Sequence, residues 1–365
     1  MGALKYAIIG SGTMGREHIR NINLLKNAEV VALCDNHKAS IDESRKDLIN
    51  NPIIFSHHNE LIEAKIADVY IIATPNFSHI DILKDIIKTK AHLLIEKPLC
   101  TNVRDCLHFK KITKGYPGII WTAMEYRYMP PVAKFIKEIK SGTIGDLKMF
   151  SIREHRFPFL VKVNDWNRFS KNTGGTLVEK CCHFFDLMRL ITKSEPKRIM
   201  ASAGQNVNHL DEIYDGKTPD ILDNGYVLVD FENGVRAMLE LCMFAEGSKY
   251  QEEIIAVGPQ GKLETKIPGP SRFWPKKLGD PPVPLVIQSP RYPMDPKVTE
   301  VTVDPVLLEA GDHNGSTYYQ HKRFLDLVLG KIQKPDVTLE DGYKAVIMGM
   351  AAQESAKEGR AVEFD

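Results

Sequence analysis

Residues 10–15, Gly10-Ser11-Gly12-Thr13-Met14-Gly15, constrain this chain more than any other stretch. They form G-x-G-x-x-G in a specific setting: residues 5–9 read as a strand before it, and residues 16–25 carry helical spacing after it. Gly10 permits the tight turn, Gly12 lets backbone approach a pyrophosphate, and Gly15 lets the helix pack on the strand. With Thr13 and Met14, the first helical turn presents unbonded amides at its positive end. A second strand, residues 29–34, ends in Asp35, twenty residues after Gly15. An acid there, followed by Asn36, accepts hydrogen bonds from adenosine ribose hydroxyls and repels a 2′-phosphate. That predicts NAD, with NADP the less favoured cofactor; a helix N-cap is the alternative role for Asp35.

The pattern continues as an open sheet. Residues 40–50 read as a polar helix that Pro52 ends, and residues 67–73 as a strand leading into Thr74-Pro75-Asn76 and a helix over 80–89. Ligands bind at the carboxyl ends of such strands, so Thr74, Pro75 and Asn76 are placed to line a nicotinamide. His79 either joins them or is a structural first-turn histidine. Residues 93–95 are apolar without alternation, as in a strand buried on both faces, and run directly into Glu96-Lys97-Pro98. Pro98 cannot continue the ladder, which leaves Glu96 and Lys97 at the ligand end. A helix over 102–114 and a strand over 118–124 follow; with these five strands located, a six-stranded dinucleotide-binding unit is expected.

A chain of 365 residues is too long for one ordinary core, and the expected division is 1–125 and 126–365. The second part starts with a helix over 132–141 and a strand from 147 past 153, and Gly174-Gly175 opens a helix over 176–191. Glu179 and His183 are spaced i, i+4 on one helical face, with Lys180 nearly aligned. A satisfied core histidine is the alternative for His183. From residue 197 the pattern is sheet-like, with strands at 198–203, 226–231, 235–242, 252–257 and 262–265. The turns at 232–234 and 258–261 make hairpins and imply an antiparallel sheet. Residues 268–297 carry nine prolines and read as an irregular excursion. Residues 311–315 open a helix over 318–329, and a last helix covers 339–358.

Composition narrows the partners. A net charge of +1 gives no electrostatic reason to bind nucleic acid or an anionic membrane, and no apolar run approaches the ~18 residues of a spanning helix. The start of the chain reads as a strand and glycine turn, not a leader. Six cysteines without C-x-x-C argue against a disulfide framework or a metal site. A cytoplasmic, reduced protein is expected.

Taken together, the chain resembles the Gfo/Idh/MocA oxidoreductase family (relatives of glucose–fructose oxidoreductase and inositol dehydrogenase) over essentially its whole length. The resemblance rests on the glycine turn, Ala73-Thr74-Pro75 with His79, Glu96-Lys97-Pro98, and Tyr126-Arg127-Tyr128. It is extended by Gly174-Gly175…Glu179…His183…Asp186 and the ending Ala351-Ala352…Ser355-Ala356…Gly359-Arg360-Ala361-Val362. It implies a Rossmann domain, then an α/β domain with a large, mostly antiparallel open sheet that makes a homodimer or homotetramer. It also implies Lys97 and His183 as a catalytic pair, at a cleft that takes a cyclic polyol, sugar or glycoside. The position of Glu179 is typically aspartate in the family, and Lys180 is a further departure.

Oxidation of a secondary alcohol then assigns roles. His183 is the base for the hydroxyl proton, Lys97 stabilises the developing alkoxide, and Glu179 orients one of them. Lys97, Lys180 and His183 are expected against the substrate. Arg127, Tyr128, Asp165 and Trp166 are further candidates, as are Asn167, Asp186, His313 and Tyr318, each with a packing or capping role as the alternative. Other activities compatible with the family are glycoside cleavage or isomerisation through transient oxidation by retained NAD, and dihydrodiol-dehydrogenase-like or biliverdin-reductase-like chemistry. A silent NAD sensor is disfavoured by the presence of Lys97 with His183.

Overall fold

The structure is a computed structural model, and it describes residues 2–364. Six parallel strands form the first sheet: β1 (Leu4–Ile9), β2 (Ala28–Cys34), β3 (Ile53–Phe55), β4 (Val69–Ile72), β5 (His92–Ile95) and β6 (Ile120–Thr122). Their order is β3-β2-β1-β4-β5-β6, so the sheet reverses direction beside β1, where the glycine turn lies. The linking helices are α1 (Thr13–Asn23), α2 (Lys38–Ser44), α3 (His58–Ala64), α4 (His79–Ile86) and α5 (Val103–Ile112). The apolar run of β5 is explained by burial on both faces. Leu93 and Ile95 join Leu83, Ile86 and Phe109 on one side; Leu94 joins Ile8, Ile19 and Ile71 on the other.

After α6 (Pro130–Lys140), β7 (Met149–His155) begins the second sheet. The glycine pair and its flanks give α7 (Ser170–Thr173), α8 (Thr176–Glu179) and α9 (Cys182–Thr192). The sheet continues through β8 (Pro196–Gly204), β9 (Asn224–Phe231), β10 (Arg236–Cys242), β11 (Glu252–Gly258), β12 (Gly261–Ile267), β13 (Leu285–Pro290) and β14 (Lys297–Glu300). It is closed at the far edge by β15 (Val362–Glu363), after α10 (Pro305–Ala310), α11 (Ser316–Val328) and α12 (Leu339–Glu358). The order is β14-β13-β12-β11-β7-β10-β9-β8-β15, antiparallel except for the β7–β10 pair. One face packs on α6 and α9 through Phe135, Phe184, Phe185 and the inward residues Phe150, Ile152, Leu239 and Ile254. The other face is open and carries Met149, Met200, Tyr226 and Leu228, all exposed.

Three expectations need correcting. The predicted helix over 176–191 is broken: Lys180 and Cys181 separate α8 from α9, and the Cys181 amide reaches back five residues to Thr176. The excursion at 268–297 is not wholly irregular, because β13 pairs with β12 between its prolines. The division at residue 125 separates the sheets but not the cores. Phe324 of α11 meets Trp121 edge-on, and Leu327 and Ala345 complete the apolar layer over β1, β4 and β5. Long-range burial recruits these helices, and no local pattern announces it. Among the described residues, no helix is long and apolar enough to cross a membrane, and no group of side chains is arranged to hold a metal ion.

Candidate active site

A cleft of about 1730 Å3 runs across the carboxyl ends of β1, β2, β4 and β5 and continues between the two sheets. It is lined by Gly10, Gly12, Thr13, Met14, Asp35, Asn36, Thr74, Pro75, Asn76, Glu96 and Lys97. Gly10 has φ +94°, and a side chain there would strike the Ala73 carbonyl; one at Gly15 would strike the carbonyl of Gly10. Around Gly12, by contrast, nothing lies within 4 Å of a Cβ position. No side chain caps α1, so its first amides stay open to an anion. Asp35 accepts from the Ser11 amide (2.8 Å), the Ser11 hydroxyl (3.0 Å) and the His37 amide (2.8 Å), which fixes the carboxylate at the end of β2. These features fit a dinucleotide. His79 does not share the cleft: it is buried, with Nδ1 3.0 Å from the Pro98 carbonyl and Nε2 3.1 Å from that of Thr74. Burial holds its pKa below the ordinary value, so the neutral ring donates to one carbonyl at a time.

The second half of the cleft centres on Lys97. Its ammonium donates to the main-chain carbonyl of Glu179 at 3.3 Å, an acceptor left open by the break after α8. Burial works against the charge, but the Cys182 thiol and the carboxyls of Glu125, Glu179 and Glu96 hold the lysine pKa above its usual value. Glu96 accepts from His18 Nε2 at 3.0 Å, and His18 Nδ1 meets His321 Nε2 at 2.8 Å. A buried chain thus runs from the cleft back to α11. Glu179 lines the cleft with one carboxylate oxygen unpartnered, and burial pushes its pKa up to about 6.

The helix break turns His183 away from Glu179. His183 is buried, does not line the cleft, and stacks flat on Tyr126 with centroids 4.0 Å apart. Burial, then the charges of Lys97 and Lys180, hold its pKa well below the ordinary histidine value, so the ring is neutral at pH 7. Its Nε2 is 3.5 Å from Glu125, a residue the sequence reading missed. Both Glu125 oxygens lack hydrogen bonds among the described residues, and burial with the nearby Glu96 charge raises its pKa to about 7. His313 lies 4.0 Å beyond Glu125 and is also off the cleft. Its Nδ1 donates to Glu17 at 2.9 Å, and Glu17 also accepts from the Thr317 hydroxyl and the Asp312 amide. Burial opposes both charges, yet the pairing raises His313 to about 9 and lowers Glu17 to about 2.

Other candidates are placed elsewhere. Arg127 makes a bidentate pair with Asp186 and donates to the Asp336 carbonyl at 2.5 Å, so both Arg127 and Asp186 are structural. Tyr128 stacks on Trp121, and Tyr318 packs edge-on against Tyr319, each outside the cleft. Asn167 is fully buried and bonds the Leu160 carbonyl at 2.9 Å. Lys180 is likewise internal: it pairs with Glu154 at 2.8 Å and donates to the Tyr126 hydroxyl at 2.6 Å. Asp165 and Trp166 do line the cleft, and so does Lys162, which the sequence reading passed over. Glu154 was missed too, although β7 carries its signal: the inward phase Phe150, Ile152, Glu154 switches from apolar to acidic near the site. Glu252 faces it across the β7–β11 ladder.

A dinucleotide cleft on one sheet, closed by a second mixed sheet and holding a half-buried lysine among acids, defines a two-domain nicotinamide-dependent oxidoreductase. Residues 4–123 match the family model for the oxidoreductase NAD-binding Rossmann fold, and residues 136–364 that for the oxidoreductase C-terminal alpha/beta domain. The chain belongs to the Gfo/Idh/MocA oxidoreductase family. It is 25% identical to the myo-inositol 2-dehydrogenase of Thermotoga maritima over 99% of both chains. It is 24% identical to the rhizopine catabolism protein MocA of Rhizobium meliloti over 75% of this chain and 80% of that one. An oxidoreductase from Agrobacterium radiobacter, solved with NAD+, L-tartaric acid and magnesium, shares the fold at a TM-score of 0.79 and 17% identity, covering 99% and 98% of the two chains.

Proposed function

We propose that this protein oxidises a secondary alcohol of a cyclic polyol, sugar or glycoside, with NAD as the preferred acceptor and Lys97 with His183 as the catalytic pair. The observation that carries the reading is a half-buried, charged Lys97 on the wall of the dinucleotide cleft, with a neutral His183 close enough to feel its charge. The relatives named for inositol dehydrogenation support the substrate class. When bound, the nicotinamide supplies the hydride acceptor. Lys97 donates a hydrogen bond to the substrate oxygen and stabilises negative charge as the proton leaves. His183 takes that proton on a ring nitrogen and passes it to the Glu125 carboxylate, 3.5 Å from its Nε2.

NAD preference rests on Asp35 and on the commitment of the nearest arginine. Arg16 lines the cleft but is held by Asp47 at 2.6 Å and by Glu43, and so is not free for a 2′-phosphate. We also propose that the exposed face of the second sheet joins copies into a homodimer or homotetramer. The test of the activity is nicotinamide absorbance with NAD across inositols, free sugars and glycosides. Reduction that requires Lys97 supports the assignment. Silence from folded protein that binds NAD removes it.

A further inference from the structure

The wall of the cleft contributed by the second domain carries large apolar side chains that meet solvent, set among charged ones. Val161 is 75% exposed and Ile213 72%, and both line the cleft. Leu160, Val163 and Phe77 are exposed beside them, and Trp166 meets Phe77 edge-on at 6.2 Å. Exposed large apolar side chains scattered singly need no explanation; a contiguous set lining one cleft marks a binding surface.

This shelf is built, not slack. Asn167 Nδ2 donates to the Leu160 carbonyl at 2.9 Å and Asn172 Nδ2 to that of Trp166 at 2.9 Å. Arg168, almost fully buried, ties the loop holding Val161 to the loop holding Ile213 through Glu212 at 2.9 Å. Tyr214 reinforces the same carboxylate at 2.8 Å. Asn164 and Asp165 adopt left-handed backbone (φ 54° and 47°), a conformation that non-glycine residues hold only when their surroundings impose it. Asn167, Arg168 and Glu212 thus tie both loops from beneath, and Val161 and Ile213 are presented to the cleft.

We infer that the shelf is a subsite for an apolar or aromatic substituent on the substrate, so that the ligand is an amphipathic glycoside with its ring toward Lys97 and its substituent against Val161, Ile213 and Trp166. This rests on the proposed dehydrogenase reading and narrows it. Two features favour a substituent of the ligand over a separate partner. The shelf is continuous with the cofactor cleft, whose lining runs on from Asn76 and Lys97 to Val161 and Ile213. The charged residues along it are of both signs, Lys162, Lys171 and Lys217 with Asp165 and Asp215, which gives no strong bias toward a charged substituent.

The test uses NAD-loaded protein and matched pairs of methyl and phenyl β-D-glucopyranosides, galactopyranosides and mannopyranosides. Calorimetric titration reads binding and nicotinamide absorbance reads turnover. A phenyl glycoside is expected to bind at least about tenfold tighter than its methyl partner. In the double variant Val161→Ser/Ile213→Ser the phenyl-to-methyl ratio falls to about one, and Ile213→Val alone retains most of it. Equal binding of the pair, a preference that survives the double variant, or no phenyl glycoside binding overturns the inference. So does a drop in solution mass in the double variant, which would make the shelf a contact between copies. Turnover of free polyols without phenyl preference removes the shelf and leaves the dehydrogenase; phenyl-selective binding with no turnover of any sugar or polyol does the reverse.

Discussion

The Lys97 ammonium is anchored on the main-chain carbonyl of Glu179, 3.3 Å away, while the side chain of the same glutamate keeps an unpartnered oxygen at the cleft. Backbone therefore sets the position of the lysine, and the Glu179 carboxylate sets the field around it. Exchanging Glu179 for glutamine is expected to leave Lys97 in place and change the pH dependence. With its pKa raised to about 6, Glu179 is charged above that pH, so wild-type turnover rises as the pH passes through 6. Glu179→Gln loses that step in a profile of kcat against pH. A step unchanged in the variant would assign it to another group.

Lys97→Ala removes a cation on the cleft wall that sits among Glu96, Glu125 and Glu179. Loss of an oxyanion-stabilising donor costs on the order of 10²–10³-fold in kcat. The expected outcome is that loss with NAD affinity nearly kept, measured by nicotinamide absorbance and by titration. Turnover within a few-fold of wild type, in folded protein, would exclude the assignment.

Asp35→Ser removes the carboxylate that Ser11 and His37 hold at the end of β2. NAD is expected to bind about tenfold more weakly, the effect of losing roughly one charged hydrogen bond, and discrimination against NADP is expected to shrink. Calorimetric titration of both cofactors checks this. Tighter NADP than NAD binding by the wild type would contradict the basis of the prediction.

The Glu17–His313 pair makes stability depend on pH in two directions. Glu17 is lowered from 4.5 to about 2, so its contribution is complete above pH 4.5 and is lost as the pH falls toward 2. His313 is raised from 6.5 to about 9, so its contribution is complete below pH 6.5 and is lost as the pH rises toward 9. The Tm difference between wild type and His313→Gln is therefore expected to be largest between pH 4.5 and 6.5. A difference that grows from pH 7 to 9 would contradict the pairing.

Arg127→Leu leaves Asp186 charged, buried and without its bidentate partner. Breaking a buried pair by removing one member costs roughly 3–5 kcal/mol. Denaturant unfolding is expected to show that loss, with the KM of the remaining folded protein little changed. A raised KM at full stability would restore Arg127 to the substrate.

The sequence alone determined five of the six strands of the first sheet, all but Ile53–Phe55, and the cofactor cleft. A glycine turn, a following acid and a proline-stopped apolar strand are local devices, and neighbouring residues enforce their geometry. Thus the sequence pattern sets Gly10, Gly12, Asp35, Thr74 and Lys97 in one cleft, and all of them line it. The structure alone decided which charged residues face that cleft. Helical periodicity put Glu179 and His183 on one face, but the break at Lys180 and Cys181 separates them and leaves the Glu179 carbonyl open to Lys97. Arg127 was drawn to Asp186, 59 residues on, and Glu17 to His313, 296 residues on. Such pairings follow from the cost of burying a charge without a counter-charge, and that cost is fixed only when distant elements pack. The same packing brought α11 over Trp121 and set Val161 beside Ile213 on one cleft wall. Local steric rules are written in adjacent residues; desolvation depends on the whole fold.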